Sequence, residues 1–269
     1  MRVQFQNRSV HCEVYGSGNK LLICLHGYGN TGSLFRELAH TLPENYCLVA
    51  PDLPGFGQSP LETGNPPISK EEWKGLFQAI VAAFPENTGI ALLGYSIGGR
   101  VALEWLSGSD IPVEKMILIA SDGLRLHPFY RFCVFNPVGR ILFKGTMRQP
   151  GPILFLLRIL HKLRLVGRGR FRMASGTLAK QEERERLEKV WLGYRKLSTD
   201  RKKVLANEYD TKWLLVWGEK DKVIKPKWGE RFAKQHPSIE FKLIRGGHAL
   251  LVRPSKELQD LIDNILIDT

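Results

Sequence analysis

The chain has 269 residues, 43% of them hydrophobic and 25% charged, with a net charge of +12. That is enough for one large α/β domain or two small ones, with the composition of a soluble globular protein. No apolar run reaches the roughly 18 residues of a membrane span, and the opening MRVQFQNRSV has no apolar core of a secretory signal, so a cytoplasmic location is expected. Cys12, Cys24, Cys47 and Cys133 form no C-x-x-C pair. Buried, reduced thiols are expected rather than a disulfide framework or a zinc site.

Two alternating runs come first, around residues 3–5 and 11–15, with Asn7, Arg8 and Ser9 as a turn. Near-continuous apolar runs follow at 21–25, 47–50, 90–93, 116–120 and 214–217, with a shorter one at 241–244. Runs that are apolar on both faces suit a parallel sheet covered by helices. Helical patterns at 33–42, 70–84, 101–106, 226–235 and 255–267 alternate with them. This alternation predicts an α/β fold with a doubly wound, mostly parallel sheet.

The stretch 122–209 breaks the alternation. It has no strand run and predicts helices at 128–135, 152–165 and 179–197, punctuated by Pro150-Gly151-Pro152 and Gly167-Arg168-Gly169. The expected organisation is core at 1–122, an inserted helical cap at 123–209, and core again at 210–269. Residues 125–203 carry 20 Lys and Arg against 5 Asp and Glu, whereas the remainder carries 19 against 22. One segment thus holds all the excess charge, which points to an anionic partner or to a solvated basic surface.

In ALLGYSIGGRVAL, residues 91–103, a buried strand gives way to a helix at Gly94-Tyr95-Ser96-Ile97-Gly98. G-x-S-x-G in that context is a nucleophile elbow. Its glycines remove the Cβ atoms that a tight turn would crowd, and the helix N-terminus favours developing negative charge. A serine nucleophile needs a base. Of the seven histidines, His248 in RGGHA follows the last strand run, at the sheet edge where such sites lie. His11, His40, His161 and His236 have weaker positions. Asp221, a few residues beyond the run at 214–217, is the acid expected to orient the imidazole, with Glu219 and Asp122 as rivals.

Ser96, Asp221 and His248, in that chain order, resemble the α/β-hydrolase superfamily, in its serine esterase and lipase-like branch with a helical cap. LLICLHGYG looks like its oxyanion loop after strand three, and VAPDLPGFGQS like its loop after strand four. WGEKDKVIKP and GGHALLVRPSKEL are similar to its acid and histidine segments. The resemblance runs from about residue 20 to the C-terminus and spares the cap. It implies an oxyanion hole from the backbone N–H groups of Tyr28 and Ile97. His26 and Gly27 would shape that loop, and Asp52 would hold the turn at residues 54–57. Tyr28, Tyr95 and Arg100 are the candidate substrate-binding residues.

A serine at the elbow, rather than the aspartate of related dehalogenases and epoxide hydrolases, favours acyl transfer. The expected activity is hydrolysis of a carboxylic ester or thioester through an acyl-enzyme, with no metal or organic cofactor. GYSIGGRVAL also resembles the elbow of the menaquinone-pathway lyase that makes 2-succinyl-6-hydroxy-2,4-cyclohexadiene-1-carboxylate, where Arg100 would hold a substrate carboxylate. A solvated first-turn Arg100 is the bland alternative. A slow-turnover ligand receptor on the same fold is the third possibility. The cap stretch PGPILFLLRILHKLRLVGRGRFR, apolar at helical spacing with interleaved basic residues, fits three roles. They are a helix packed on the core, a pocket for an anionic or lipid-like acyl substrate, and a peripheral contact with an anionic membrane. Nucleic acid is not an expected partner.

Overall fold

The runs that read as apolar on both faces form the inner strands of one eight-stranded sheet. The structure, a computed structural model, describes residues 1–6, 8–61, 67–108, 110–197, 203–204, 211–235 and 238–267. The strands are β1 (Arg2–Phe5), β2 (Arg8–Tyr15), β3 (Lys20–Leu25), β4 (Tyr46–Pro51), β5 (Gly89–Tyr95), β6 (Lys115–Ile119), β7 (Lys212–Gly218) and β8 (Ile239–Ile244). Their order is β1-β2-β4-β3-β5-β6-β7-β8. β1 and β2 pair antiparallel, as do β2 and β4, and every later pair is parallel.

Side chains alternate between the two faces with a period of two. Leu22, Cys24, Leu48, Ala50, Leu93, Ile117, Ile119 and Val216 share one core cluster with Leu38, Leu258 and Ile262. Those last three come from α1 (Arg36–Ala39) and from α10 (Lys256–Ile267), the last helix. The intervening residues Leu21, Ile23, Val49, Leu92 and Leu118 are also buried, on the opposite face. The helices α2 (Lys70–Ala82) and α3 (Ile97–Gly108) meet through Phe77 and Trp105, whose rings stack at 4.2 Å. Both faces are therefore covered, as a parallel sheet requires. Helix α2 starts on a capping box: Ser69 Oγ accepts from the Glu72 amide at 3.0 Å, and the Glu72 carboxylate accepts from the Ser69 amide at 2.8 Å.

The chain divides into two units. The first comprises Met1–Pro60, Ser69–Arg125 and Leu197–Thr269; the second comprises Leu61–Ile68 and Leu126–Lys196. The second unit is helical, with α4 (Pro128–Phe135), α5 (Pro137–Arg148), α6 (Gly151–Lys162), α7 (Arg168–Ala179) and α8 (Gln181–Gly193). Its own small core joins Tyr130, Cys133, Val134, Phe143, Met147 and Leu178. Trp191 stacks on Phe143 at 5.2 Å and meets Tyr130 edge-on at 5.1 Å. Arg184 donates to the carbonyls of Met147 and Leu178, both at 2.8 Å, satisfying the ends of two helices with one guanidinium.

Among the described residues five helices stand where the pattern predicts three. Helix α5 is hidden by Gly139 and Gly145, although Asn136 caps it, accepting from the Gly139 amide at 3.0 Å, and Pro137 opens it. Gly167 precedes α7, but Arg168 and Gly169 lie inside that helix rather than in a break. The helix expected at 33–42 is instead a 3-10 turn, Gly32–Phe35, followed by the four-residue α1. Helix α3 begins at Ile97, one turn before the expected 101. The last helix of the first unit to be named, α9 (Pro226–Ala233), matches its pattern closely. Asn7 of the expected turn, His236 and the cap boundary at 209 lie outside the described residues. Among the described residues no helix is long and apolar enough to cross a membrane.

Candidate active site

Between β5 and α3 the chain changes from strand to helix at one residue, Ser96, which is held at φ +53°. A non-glycine residue in this left-handed region is strained and persists only where its surroundings enforce it. Here the Ser96 amide donates to Ile119 O at 3.1 Å, and its carbonyl accepts from the Gly99 and Asp122 amides at 3.0 and 2.8 Å. The glycines permit the packing. A Cβ on Gly98 would stand 2.0 Å from Leu25 O, and one on Gly94 would stand 2.6 Å from Gly99 Cα.

The loop after β8 brings His248 to this serine, with Nε2 at 2.9 Å from Ser96 Oγ. The loop after β7 brings Asp221, whose Oδ2 is 2.8 Å from His248 Nδ1. The two loops run close together: a Cβ on Gly218 would sit 2.3 Å from Gly247 O. The Asp221 side chain is fully buried. Its Oδ1 accepts from the Val223 and Ile224 amides at 2.8 and 3.0 Å, so the carboxylate is fixed before it meets the ring. A carboxylate only accepts, so Nδ1 carries the proton and Nε2 is left to accept from the serine hydroxyl.

The rival acids are placed elsewhere. Glu219 is exposed. Asp122 pairs with Arg100 through Oδ2 and accepts from the Gly123 amide through Oδ1 at 2.8 Å. Arg100 itself is 3% exposed, so the solvated alternative for this residue is corrected: helix α3 buries its first turn. Tyr95, grouped with the substrate residues in the sequence, is 3% exposed. Its ring stacks beside His248 at 5.7 Å and its hydroxyl donates to His248 O at 3.0 Å. Burial, with the Asp221 charge nearby, pushes the Tyr95 phenol up to about 12, so it stays a donor. In this arrangement Tyr95 supports the histidine.

Ile97 is the first residue of α3, and first-turn amides have no carbonyl partner inside their own helix. The loop after β3 passes the same place. A Cβ on Gly27, next to Tyr28, would lie 3.2 Å from Ser96 Cβ. His26 anchors that loop. Its Nε2 accepts from the Leu53 amide at 2.9 Å, and its Nδ1–H donates to Gly27 O at 2.8 Å. Complete burial lowers the imidazole to about 4, so it is neutral at pH 7. His26 and Tyr28 each meet Phe56 edge-on, at 5.2 and 5.4 Å. Asp52 accepts from the Gly32 and Gln58 amides at 2.7 and 2.8 Å and sits 3.3 Å from His11 Nδ1, the pattern of a turn-holding carboxylate. Among the described residues no group of three or more His, Cys, Asp or Glu could hold a metal ion.

Two features escaped the sequence pattern. The Arg100–Asp122 pair joins residues 22 positions apart, and the His26–Leu53 bond ties two loops together. Neither leaves a local signature.

Known proteins resemble this chain at two levels, sequence family and fold. The Alpha/beta hydrolase family matches residues 22–261. The uncharacterized hydrolase YugF of Bacillus subtilis (strain 168) is 24% identical over 266 residues, 97% of this chain and 93% of that protein. A pimeloyl-[acyl-carrier protein] methyl ester esterase of Aeromonas salmonicida (strain A449) is 35% identical over 114 residues, but that match spans 42% of each chain. A thermophilic esterase from Thermogutta terrifontis, solved with malate bound, superposes with a TM-score of 0.70 at 20% identity, covering 99% of this chain and 97% of that one. With a family match across most of its length, on a sheet of this order, the chain belongs to the Alpha/beta hydrolase family.

Proposed function

We propose that the protein is a serine hydrolase that cleaves a carboxylic ester or thioester through an acyl-enzyme. The observation that carries this is the hydrogen-bonded run Ser96–His248–Asp221, with the serine on a strained turn. Ser96 Oγ attacks the carbonyl carbon while its proton passes to His248 Nε2. The carbonyl oxygen takes up negative charge, and the amides of Ile97 and Tyr28 hold it. The C–O or C–S bond then breaks, and His248 returns the proton to the departing alcohol or thiol. Water attacks the acyl-serine by the same route in reverse, with His248 as base, and releases the acid. Asp221 keeps Nε2 unprotonated at the start and stabilises the imidazolium that forms.

The esterase names among the relatives support an ester substrate, and the acyl group is left open. The lyase alternative would need Arg100 to hold a substrate carboxylate, whereas its guanidinium is buried against Asp122. Acyl transfer is therefore preferred.

The test is turnover of p-nitrophenyl esters from short to long acyl chains by the native protein and by Ser96→Ala. The native protein is expected to turn over, with the variant lower by about 10³-fold or more, and the chain-length optimum measures the pocket. Absence of hydrolysis by folded native protein would overturn the proposal in favour of elimination chemistry or ligand reception.

A further inference from the structure

Seventeen large hydrophobic side chains are exposed among the described residues, and twelve of them lie between Phe129 and Met173, in the helical unit. Helix α6, GPILFLLRILHK, has no buried residue. Ile153, Leu154 and Leu157 pack against the small core of that unit. At about 100° per residue, Phe155, Leu156, Ile159 and Leu163 fall on a separate face, and all four are exposed, Phe155 by 65%. Arg158 and Lys162 flank this outward face. Ile141 of α5 is exposed as well, by 72%.

The charge around it is one-sided. Residues 123–181 contain 12 Lys and Arg and no Asp or Glu. Arg158, Lys162, Arg164 and Arg172 are exposed and make no ion pair with another described residue. Exposed Phe, Leu and Ile side chains flanked by unpaired cations match the interfacial zone of a bilayer, with acyl chains below and anionic headgroups above. A second copy would bring like charge against like charge.

We propose that the helical unit docks peripherally on a bilayer carrying anionic headgroups, inserting the outward face of α6 while its arginines and lysines engage the headgroups. This does not depend on the chemistry at Ser96.

The test is cosedimentation of the full chain with large unilamellar vesicles of phosphatidylcholine, alone or with about 30% phosphatidylserine. Partitioning should be about tenfold higher with phosphatidylserine and should fall between about 50 and 500 mM salt. Phe155→Ser with Ile159→Ser, and separately Arg158→Glu with Lys162→Glu, should each lower it by about tenfold at an unchanged unfolding midpoint. Three results would overturn the proposal. One is no cosedimentation with anionic vesicles at low salt. Another is equal binding to neutral vesicles, insensitive to both variants. The third is a concentration-dependent dimer, dispersed by the serine variant, with no vesicle binding.

Discussion

Helices α3 and α6 have the same length, 12 residues, and opposite fates. Ten residues of α3, including Arg100 and Glu104, are buried. None of α6 is, although it carries seven Ile, Leu and Phe. What separates them is the surface each was offered. Helix α3 has Gly98 and Gly99 where it meets Leu25 O and Ser121, so its backbone approaches the sheet and every side of it finds a partner. Helix α6 meets a core of six buried residues, too small to cover more than one face. Apolar content states how much a helix could bury; the neighbour decides how much it does.

Substitutions in the two helices should separate accordingly. Gly98→Ala drives a Cβ to 2.0 Å from Leu25 O, a backbone atom that cannot swing away. We expect a loss of about 4 kcal/mol in urea unfolding, or no folded protein; a near-native midpoint would contradict the close approach. Asp122→Ala removes the Asp122 carboxylate from the buried Arg100 guanidinium and should cost about 3 kcal/mol. If the cost is below about 1 kcal/mol, the pair does not secure the first turn of α3.

A smaller effect is pH-dependent. His26 binds its proton near 4 when folded and near 6.5 when unfolded. Between these values the unfolded chain takes up a proton that the folded chain refuses. Stability should therefore fall as pH drops through this window, by about 2 kcal/mol from pH 7 to pH 5. His26→Gln should flatten that slope, and equal slopes in both proteins would remove His26 as its source. The smallest effect is expected on α6, where Phe155→Ser should move the unfolding midpoint by no more than about 0.5 kcal/mol. A loss above about 2 kcal/mol would mean that this face is covered.

The same contrast explains what the sequence made legible. Strands buried on both faces leave continuous apolar runs, and the expected bounds of all eight strands lie within three residues of the observed ones. The edge strand β8, exposed along much of one side, leaves only the shorter run at 241–244, which misses its first two residues. Ser96, Asp221 and His248 stand out in the sequence because each lies within a few residues of the end of a strand run, and the structure brings them within hydrogen-bonding distance of one another. The burial of Arg100 is not legible in the sequence, because a lone arginine carries no mark of it and its partner Asp122 belongs to another loop. Helices α5 and α7 are hidden by their glycines and low apolar content, although Asn136-Pro137 marks the start of α5.

The four cysteines, all buried and unpaired, have a practical consequence. Burial pushes the Cys12 thiol up to about 12 and Cys24 well above its ordinary value, while Cys47 and Cys133 are raised too. Thiolate is the form that reacts with alkylating reagents, so the folded chain is protected twice, by exclusion and by protonation. Three of these thiols belong to the sheet unit and one, Cys133, to the helical unit. Their alkylation rates thus record the opening of each unit separately, with no label introduced, in a chain whose own sulfur atoms serve as the clock.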